Sequence, residues 1–150
     1  MRDSTKYVTA NSVHATAATF AVITGLSFPV KSGRVYTLEV ALWHIADATT
    51  TGAQFGVGGV AATFVTLGSI STVLNSATAG TMSTGVATAV NTAAIVQTTG
   101  VAANGPTWFA ATIQPSADGT LEVRATSEVS VAAGLTVLKG SWARLRETDN

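Results

Sequence analysis

No cysteine occurs in the 150 residues, which removes disulfide frameworks, thiolate metal sites and cysteine nucleophiles together. Charge is scarce as well. The 8 basic and 8 acidic side chains make up 11% of the chain and cancel to a formal net charge of zero, where an ordinary soluble domain is about 25% charged. Without a basic block the electrostatic footprint of nucleic-acid binding is missing, and no nucleic-acid partner is expected. No apolar run approaches the roughly 18 residues that span a bilayer. The opening Met1, Arg2, Asp3, Ser4, Thr5, Lys6 also lacks the apolar stretch of a signal peptide. The expectation is a soluble chain without a membrane partner, which stays where it is made or leaves by cell lysis.

The candidates for chemistry are correspondingly few. His14 and His44 are the 2 histidines, thirty residues apart, and they form no His-x-His or His-x-x-x-His pair for a metal. His44 stands three residues before Asp47, a spacing that on a strand puts the two on opposite faces, and no Gly-x-Ser-x-Gly elbow accompanies them. Glu39, Glu122 and Glu128 are the carboxylates available for paired acid/base work, but their spacing does not bring them together. Gly56, Gly58 and Gly59 lack the following Lys of a phosphate loop and suit a turn or bulge. No catalytic residue, metal or cofactor is therefore expected, and the chain reads as a non-enzyme.

What the sequence has instead is a long neutral segment. Residues 48–117 contain no Asp, Glu, Lys or Arg and are mostly Thr, Ser, Ala, Gly, Val and Asn with scattered larger apolar residues. A domain of this size exposes much of any such segment, and charge is the usual guard against unwanted edge pairing. Depletion of charge marks interface cores more than hydrophobicity does. Much of this segment is expected to meet other copies of the chain, with Val65, Leu67, Val90, Ile95 and Trp108 as candidate interface residues. Disorder is disfavoured by the apolar content, which includes Phe55, Phe64, Ile70 and Phe109.

Thr, Ala and Val dominate, and β-branched residues punctuated by Gly favour strands. In residues 34–46, Tyr36, Leu38, Val40 and Leu42 alternate with Val35, Thr37, Glu39, Ala41 and Trp43, the period of a half-buried strand. In residues 120–126, Leu121, Val123 and Ala125 alternate with Thr120, Glu122, Arg124 and Thr126, just after the Asp118-Gly119 turn signal. Leu135 and Val137, then residues 142–146 with Ala143 and Leu145 on one side, add a pair of short strands. Shorter runs at 17–23, 53–57, 61–67, 93–98 and 107–113 are bounded by Gly, Pro, Asn or Ser. Residues 69–90 read as loop with some strand, since Gly80, Gly85 and many Thr argue against helix. The expected architecture is all-β: a polar arm over residues 1–11, then one antiparallel sandwich of about eight strands over 12–150, of jelly-roll or tumour-necrosis-factor-like type. Tyr36, Leu38, Val40, Leu42, Leu121, Val123 and Leu145 form its expected core. Trp43, Trp108 and Trp142 pack at the core or an interface, with a stacking platform for carbohydrate as the alternative.

Two segments carry a family likeness. Gly25-Leu26-Ser27-Phe28-Pro29-Val30-Lys31-Ser32-Gly33-Arg34-Val35-Tyr36, leading into the amphipathic strand, resembles the opening of small structural domains of tailed bacteriophages. Gly119-Thr120-Leu121-Glu122-Val123-Arg124, then Ser127-Glu128, then Val137 and Gly140-Ser141-Trp142, is similar to the ending of the same group. The likeness covers the first third and the last quarter of the chain. It implies a β-sandwich that forms homotrimers on a virion assembled in the host cytoplasm, as a capsid decoration protein or a head or tail fibre component. The implied partners are other copies, the major capsid protein or another virion protein. As the alternative it implies a fibre-tip module that binds a host-surface glycan.

Overall fold

The computed structural model describes residues 3–17, 19–48, 51–76, 79–96 and 105–148, with the backbone alone over 64–76, 79–84 and 94–96. All of its regular elements are strands: β1 (Asp3–Tyr7), β2 (Ser12–His14), β3 (Ala21–Val30), β4 (Val35–Ala46), β5 (Ala53–Gly58), β6 (Ala62–Ser76), β7 (Ala79–Ala87), β8 (Ala93–Val96), β9 (Gly105–Pro115), β10 (Gly119–Ser127), β11 (Leu135–Val137) and β12 (Trp142–Thr148). They form a sandwich of two antiparallel sheets. The larger runs β1-β12-β4-β9-β6-β7, with β11 and β2 continuing it along the far end of β4; the smaller runs β3-β10-β5-β8.

The alternation in the sequence sets the layers. Tyr36, Leu38, Val40 and Leu42 of β4 point inward with Phe109, Ala111 and Ile113 of β9 and Ala143 and Leu145 of β12. They meet Phe28, Val30, Phe55, Val57, Leu121 and Val123 from the smaller sheet in one continuous core. Each buried Val, Leu, Ile or Phe among them contributes about 1.5–3 kcal/mol by leaving water. The buried Tyr36 hydroxyl keeps a partner by accepting the Lys31 N–H at 3.0 Å.

Strands β11 and β12 both pair with β4, one at each end, around a four-residue excursion at Leu138–Ser141. The Ser141 hydroxyl fills the interrupted ladder, accepting from the Trp43 N–H at 3.0 Å and donating to the Trp43 carbonyl at 3.3 Å. The neighbouring chain breaks in step. β1 and β2 flank an interruption where Val8 exchanges hydrogen bonds with Ser141 and Gly140. The strands beyond those read from the sequence are β1, β2 and β7, the first two being one extended ribbon that this interruption divides.

The remaining differences come from pairing that composition does not reveal. The segment 69–90, expected as loop with some strand, supplies most of the hairpin β6–β7, and β6 is held by β9 from Ala62 to Ser71. Within the expected N-terminal arm, Asp3–Tyr7 forms an edge strand zipped to β12 from Asp3 opposite Arg146 to Tyr7 opposite Trp142. Its side chains are polar because only one of its faces touches protein. Pro29 falls inside β3, a place open to proline because β3 is the edge of its sheet.

Candidate interaction surface

The outer face of the larger sheet divides into two chemically distinct ends, and the registers show how. One cross-strand row reads Asp3, Arg146, Thr37, Thr112; the next reads Thr5, Arg144, Glu39, Ala110; the third reads Tyr7, Trp142, Ala41, Trp108. Beyond it Trp43 stands opposite Pro106. The first two rows hold the charge. Arg144 binds the Asp3 carboxylate through two nitrogens, and Arg146 lies 3.8 Å from Glu39 and 3.9 Å from Asp3. The Arg144 guanidinium holds the Asp3 carboxyl below the usual carboxylate range. These groups are exposed, so their pairing orders the surface more than it stabilises the fold.

The third and fourth rows hold all 3 tryptophans of the chain. Trp108 is 52% exposed, Trp43 40% and Tyr7 58%. Trp108 and Trp142 meet edge to face with ring centroids 5.6 Å apart and planes at 89°. They do so over Ala41, which faces outward yet is only 4% exposed because the indoles roof it. A methyl at that position is what lets rings on strands two places apart touch, an arrangement worth about 0.5–1.5 kcal/mol beyond area burial. Further along the same face lie Ile45 and, across β11, the exposed Val13. Single exposed apolar residues need no explanation, but a contiguous aromatic band with no charge in it marks an interaction site.

The candidate interface residues are distributed unevenly. Trp108 belongs to this band. Val90 does not: it is half-buried and packs against the core. The side chains of Val65, Leu67 and Ile95 lie outside the described residues. Trp43, Trp142 and Tyr7 complete the band, and the signal for them in the sequence was the outward phase of Trp43 and Trp142 on amphipathic strands.

The candidates for chemistry do not converge. His44 is fully buried between the sheets, where its Nδ1 lies 3.3 Å from the Thr107 hydroxyl and its ring meets Phe55 edge-on at 5.1 Å, while Asp47 is exposed. Glu39 lies on the outer face of the larger sheet and Glu122 on that of the smaller. Glu122 there accepts from Nε and Nη2 of Arg124, whose Nη1 reaches both Asn91 Oδ1 and the Phe20 carbonyl. Glu128 instead accepts the Gly52 N–H at 3.0 Å. The Gly56–Gly58 trough is filled by the chain itself, since Arg124, Asn91 and the Thr92 carbonyl lie against it.

A cleft of about 270 Å³ lined by Val13, His14, Ala15, Thr16, Thr19 and Ala21 lies beside the buried His14. Its Nε2 is 3.2 Å from the Ser12 hydroxyl, and burial pushes the imidazole below its ordinary pKa against an opposing contribution from the Ala125 backbone. Ser12, Leu135 opposite it in the ladder and Ala125 supply no acid to orient the ring. Ser12 and His14 are both buried. Among the described residues no three His, Cys, Asp or Glu side chains are grouped as metal ligands, and no helix is long and apolar enough to cross a membrane.

Fold and surface together define an all-β sandwich with an aromatic, uncharged band on one sheet. No protein-family model matches the sequence, and no curated protein is significantly similar to it.

Proposed function

We propose that the chain is a non-enzymatic structural protein of a bacteriophage particle, a homo-oligomer, with three copies the expected number, that decorates the capsid or forms part of a head or tail fibre. The observation that carries this reading is the gathering of Tyr7, Trp43, Trp108 and Trp142 on one exposed sheet face, beside strands that carry no charge over residues 48–117. A monomer keeps the exposed Tyr7, Trp43 and Trp108 and the half-buried Trp142 in water at a cost, whereas a partner copy turns their burial into association energy at about 25 cal/mol per Å². The strand order adds support. Successive strands alternate between sheets, with β3, β5, β8 and β10 in one and β4, β9 and β12 in the other. This is the winding of a jelly roll, with β6–β7 added at the side, and such sandwiches recur in virus particles. The sequence likeness to phage structural domains agrees with it.

Light scattering on the purified chain, with and without phage particles, tests the proposal. A trimer that co-sediments with particles is the expected result. A stable monomer at micromolar concentration that ignores particles refutes it. Under the alternative, the same tryptophans stack on a glycan of the host surface. In that case tryptophan fluorescence shifts with members of a glycan panel, whereas the structural reading expects no change across the panel.

A further inference from the structure

Among the described residues two buried side-chain atoms lack a hydrogen-bond partner, His14 Nδ1 and Ser127 Oγ, and both belong to one corner of the sandwich. His14, 5% exposed, stands opposite Leu135 in the ladder, and the Ala125 backbone of β10 lies by its ring. Ser127 ends the same strand, with its hydroxyl against Gly134, the residue before Leu135. Folded proteins leave few such atoms unpaired, and each exception asks for a reason. The cleft of about 270 Å³ lies at this corner, with His14 in its wall beside Val13, Ala15, Thr16, Thr19 and Ala21. Ala18 lies outside the described residues. The segment on either side of it is pinned. The Thr126 hydroxyl donates to the Thr16 carbonyl at 2.9 Å, and the Ala17 N–H donates to the Ser130 hydroxyl at 2.9 Å. Beyond, the Phe20 carbonyl accepts from Arg124 Nη1 at 3.5 Å, and Ala21 pairs with Ala125 in the β3–β10 ladder. Walls fixed in this way spare a ligand the ordering of a loop.

We infer that this cleft binds a small uncharged molecule rich in hydroxyl groups, of the size of one sugar ring, with the His14 imidazole as its polar anchor. Charge is the first criterion. No acidic or basic side chain joins His14 in the wall, and burial holds the imidazole below its ordinary pKa, so the ring is neutral at pH 7. A charged ligand would lose water there without meeting a counter-charge. The second criterion is hydrogen bonding. Nε2 lies 3.2 Å from the Ser12 hydroxyl, which accepts or donates, so Nδ1 is an acceptor in one tautomer and a donor in the other. A hydroxyl group answers both, whereas a carboxylate only accepts and an ammonium only donates. The exposed Thr16 and Thr19 add the same two-way capacity, and Val13, Ala15 and Ala21 supply apolar surface for the C–H face of a ring. Size is the third. At about 30 Å³ for each water, the cleft has the volume of about nine waters. That is room for the roughly twelve non-hydrogen atoms of a hexose, below the roughly 300 Å³ at which pockets for larger ligands begin. At ordinary ligand efficiency such a molecule binds with a Kd of the order of 1 mM. Trp43, Trp108 and Trp142 do not line the cleft, so the inference rests neither on the homo-oligomer reading nor on its glycan alternative.

The test uses the full chain, labelled in its histidine rings with the heavy nitrogen isotope and followed by nuclear magnetic resonance. Glucose, galactose, mannose and N-acetylglucosamine are each titrated to tens of millimolar. The chain has 2 histidines, so His14→Gln assigns the His14 signals, and His44, buried between the sheets, is the internal reference. At least one sugar is expected to move His14 Nδ1 saturably in the millimolar range, while the His44 and indole N–H signals stay in place. Ala21→Trp, at an exposed position in the wall, should abolish the shift. Thr19→Val, a change of one hydroxyl on an exposed residue, should weaken binding about two- to tenfold and serves if Ala21→Trp does not fold. Glucuronate and glucosamine, the charged counterparts, should bind at least about tenfold more weakly than the neutral sugar. No movement of His14 with any of the four sugars would overturn the inference. So would a shift that Ala21→Trp leaves intact, or charged sugars that bind as well as neutral ones. Indole signals that move in place of His14 would overturn it in favour of the tryptophan band.

Discussion

Two glycines offer a controlled measurement of how tightly this sandwich is closed. Gly59, at the turn from β5 to β6, and Gly140, in the excursion between β11 and β12, have nearly the same φ, 93° and 92°, in the left-handed region. An alanine at either site pays the strain of that region, about 1–2 kcal/mol. Their surroundings differ completely. A Cβ on Gly140 would meet nothing within 4 Å, whereas one on Gly59 would lie 2.2 Å from the Thr120 carbonyl oxygen and 3.0 Å from the Glu122 Cγ. The first of these is backbone at the start of β10, so it cannot swing aside, and overpacking of that kind adds about 1–3 kcal/mol. Gly140→Ala should therefore destabilise by about 1–2 kcal/mol and Gly59→Ala by about 2–5 kcal/mol. For a domain of this length each kcal/mol lowers Tm by about 2–4 °C. The assay is guanidinium unfolding followed by tryptophan fluorescence, backed by thermal melts, all at one protein concentration because oligomer stability depends on it. A Gly59→Ala variant no less stable than Gly140→Ala would refute the reasoning.

Other consequences follow from the core and the buried histidine. Phe109→Ala, at a site 1% exposed, should cost about 3–5 kcal/mol in the same unfolding assay. His14 is held below its ordinary pKa of 6.5 by burial, so the unfolded chain takes up the proton first. The neutral ring's contribution is complete above pH 6.5 and is lost as the pH falls below it. Unfolding midpoints measured from pH 7.5 to 5 should decline, and His14→Gln should flatten that decline. Ala41→Leu should prise the Trp108 and Trp142 rings apart, seen as a loss of their near-ultraviolet circular dichroism with little change in the far ultraviolet.

The parts of the fold that were legible in the sequence are those where one face of a strand is wet and the other dry. β4 and β10 show this pattern, so their alternation gave both their position and the buried identity of Leu38, Val40, Leu121 and Val123. The hairpin β6–β7 was illegible because Ser, Thr, Gly and Ala suit either side of a sheet, and the strand exists through its ladder to β9. β1 was illegible for a related reason, since its partners Arg144 and Arg146 lie near the other end of the chain. Val90 was read as interfacial from its neutral neighbourhood; that it lies half-buried against the core is a placement that composition does not hold. The aromatic band was half legible. The outward phase of Trp43 and Trp142 could be read from their strands, but the register that stacks Trp108 against Trp142 over Ala41 is a property of strand order.

The pairing of β1 with β12 also has a mechanical side. Asp3 faces Arg146 and Tyr7 faces Trp142, so the two ends of the described chain leave the sandwich at the same corner. Tension applied between them would not shear that pair along its length. It would peel it open from the corner, breaking the ladder one rung after another, which is the direction in which an antiparallel pair resists least. Loads that enter through the sheet faces meet the whole ladder at once. A particle built from such units would withstand internal pressure through contacts between copies, while a tether pulling on the chain ends would yield at low force.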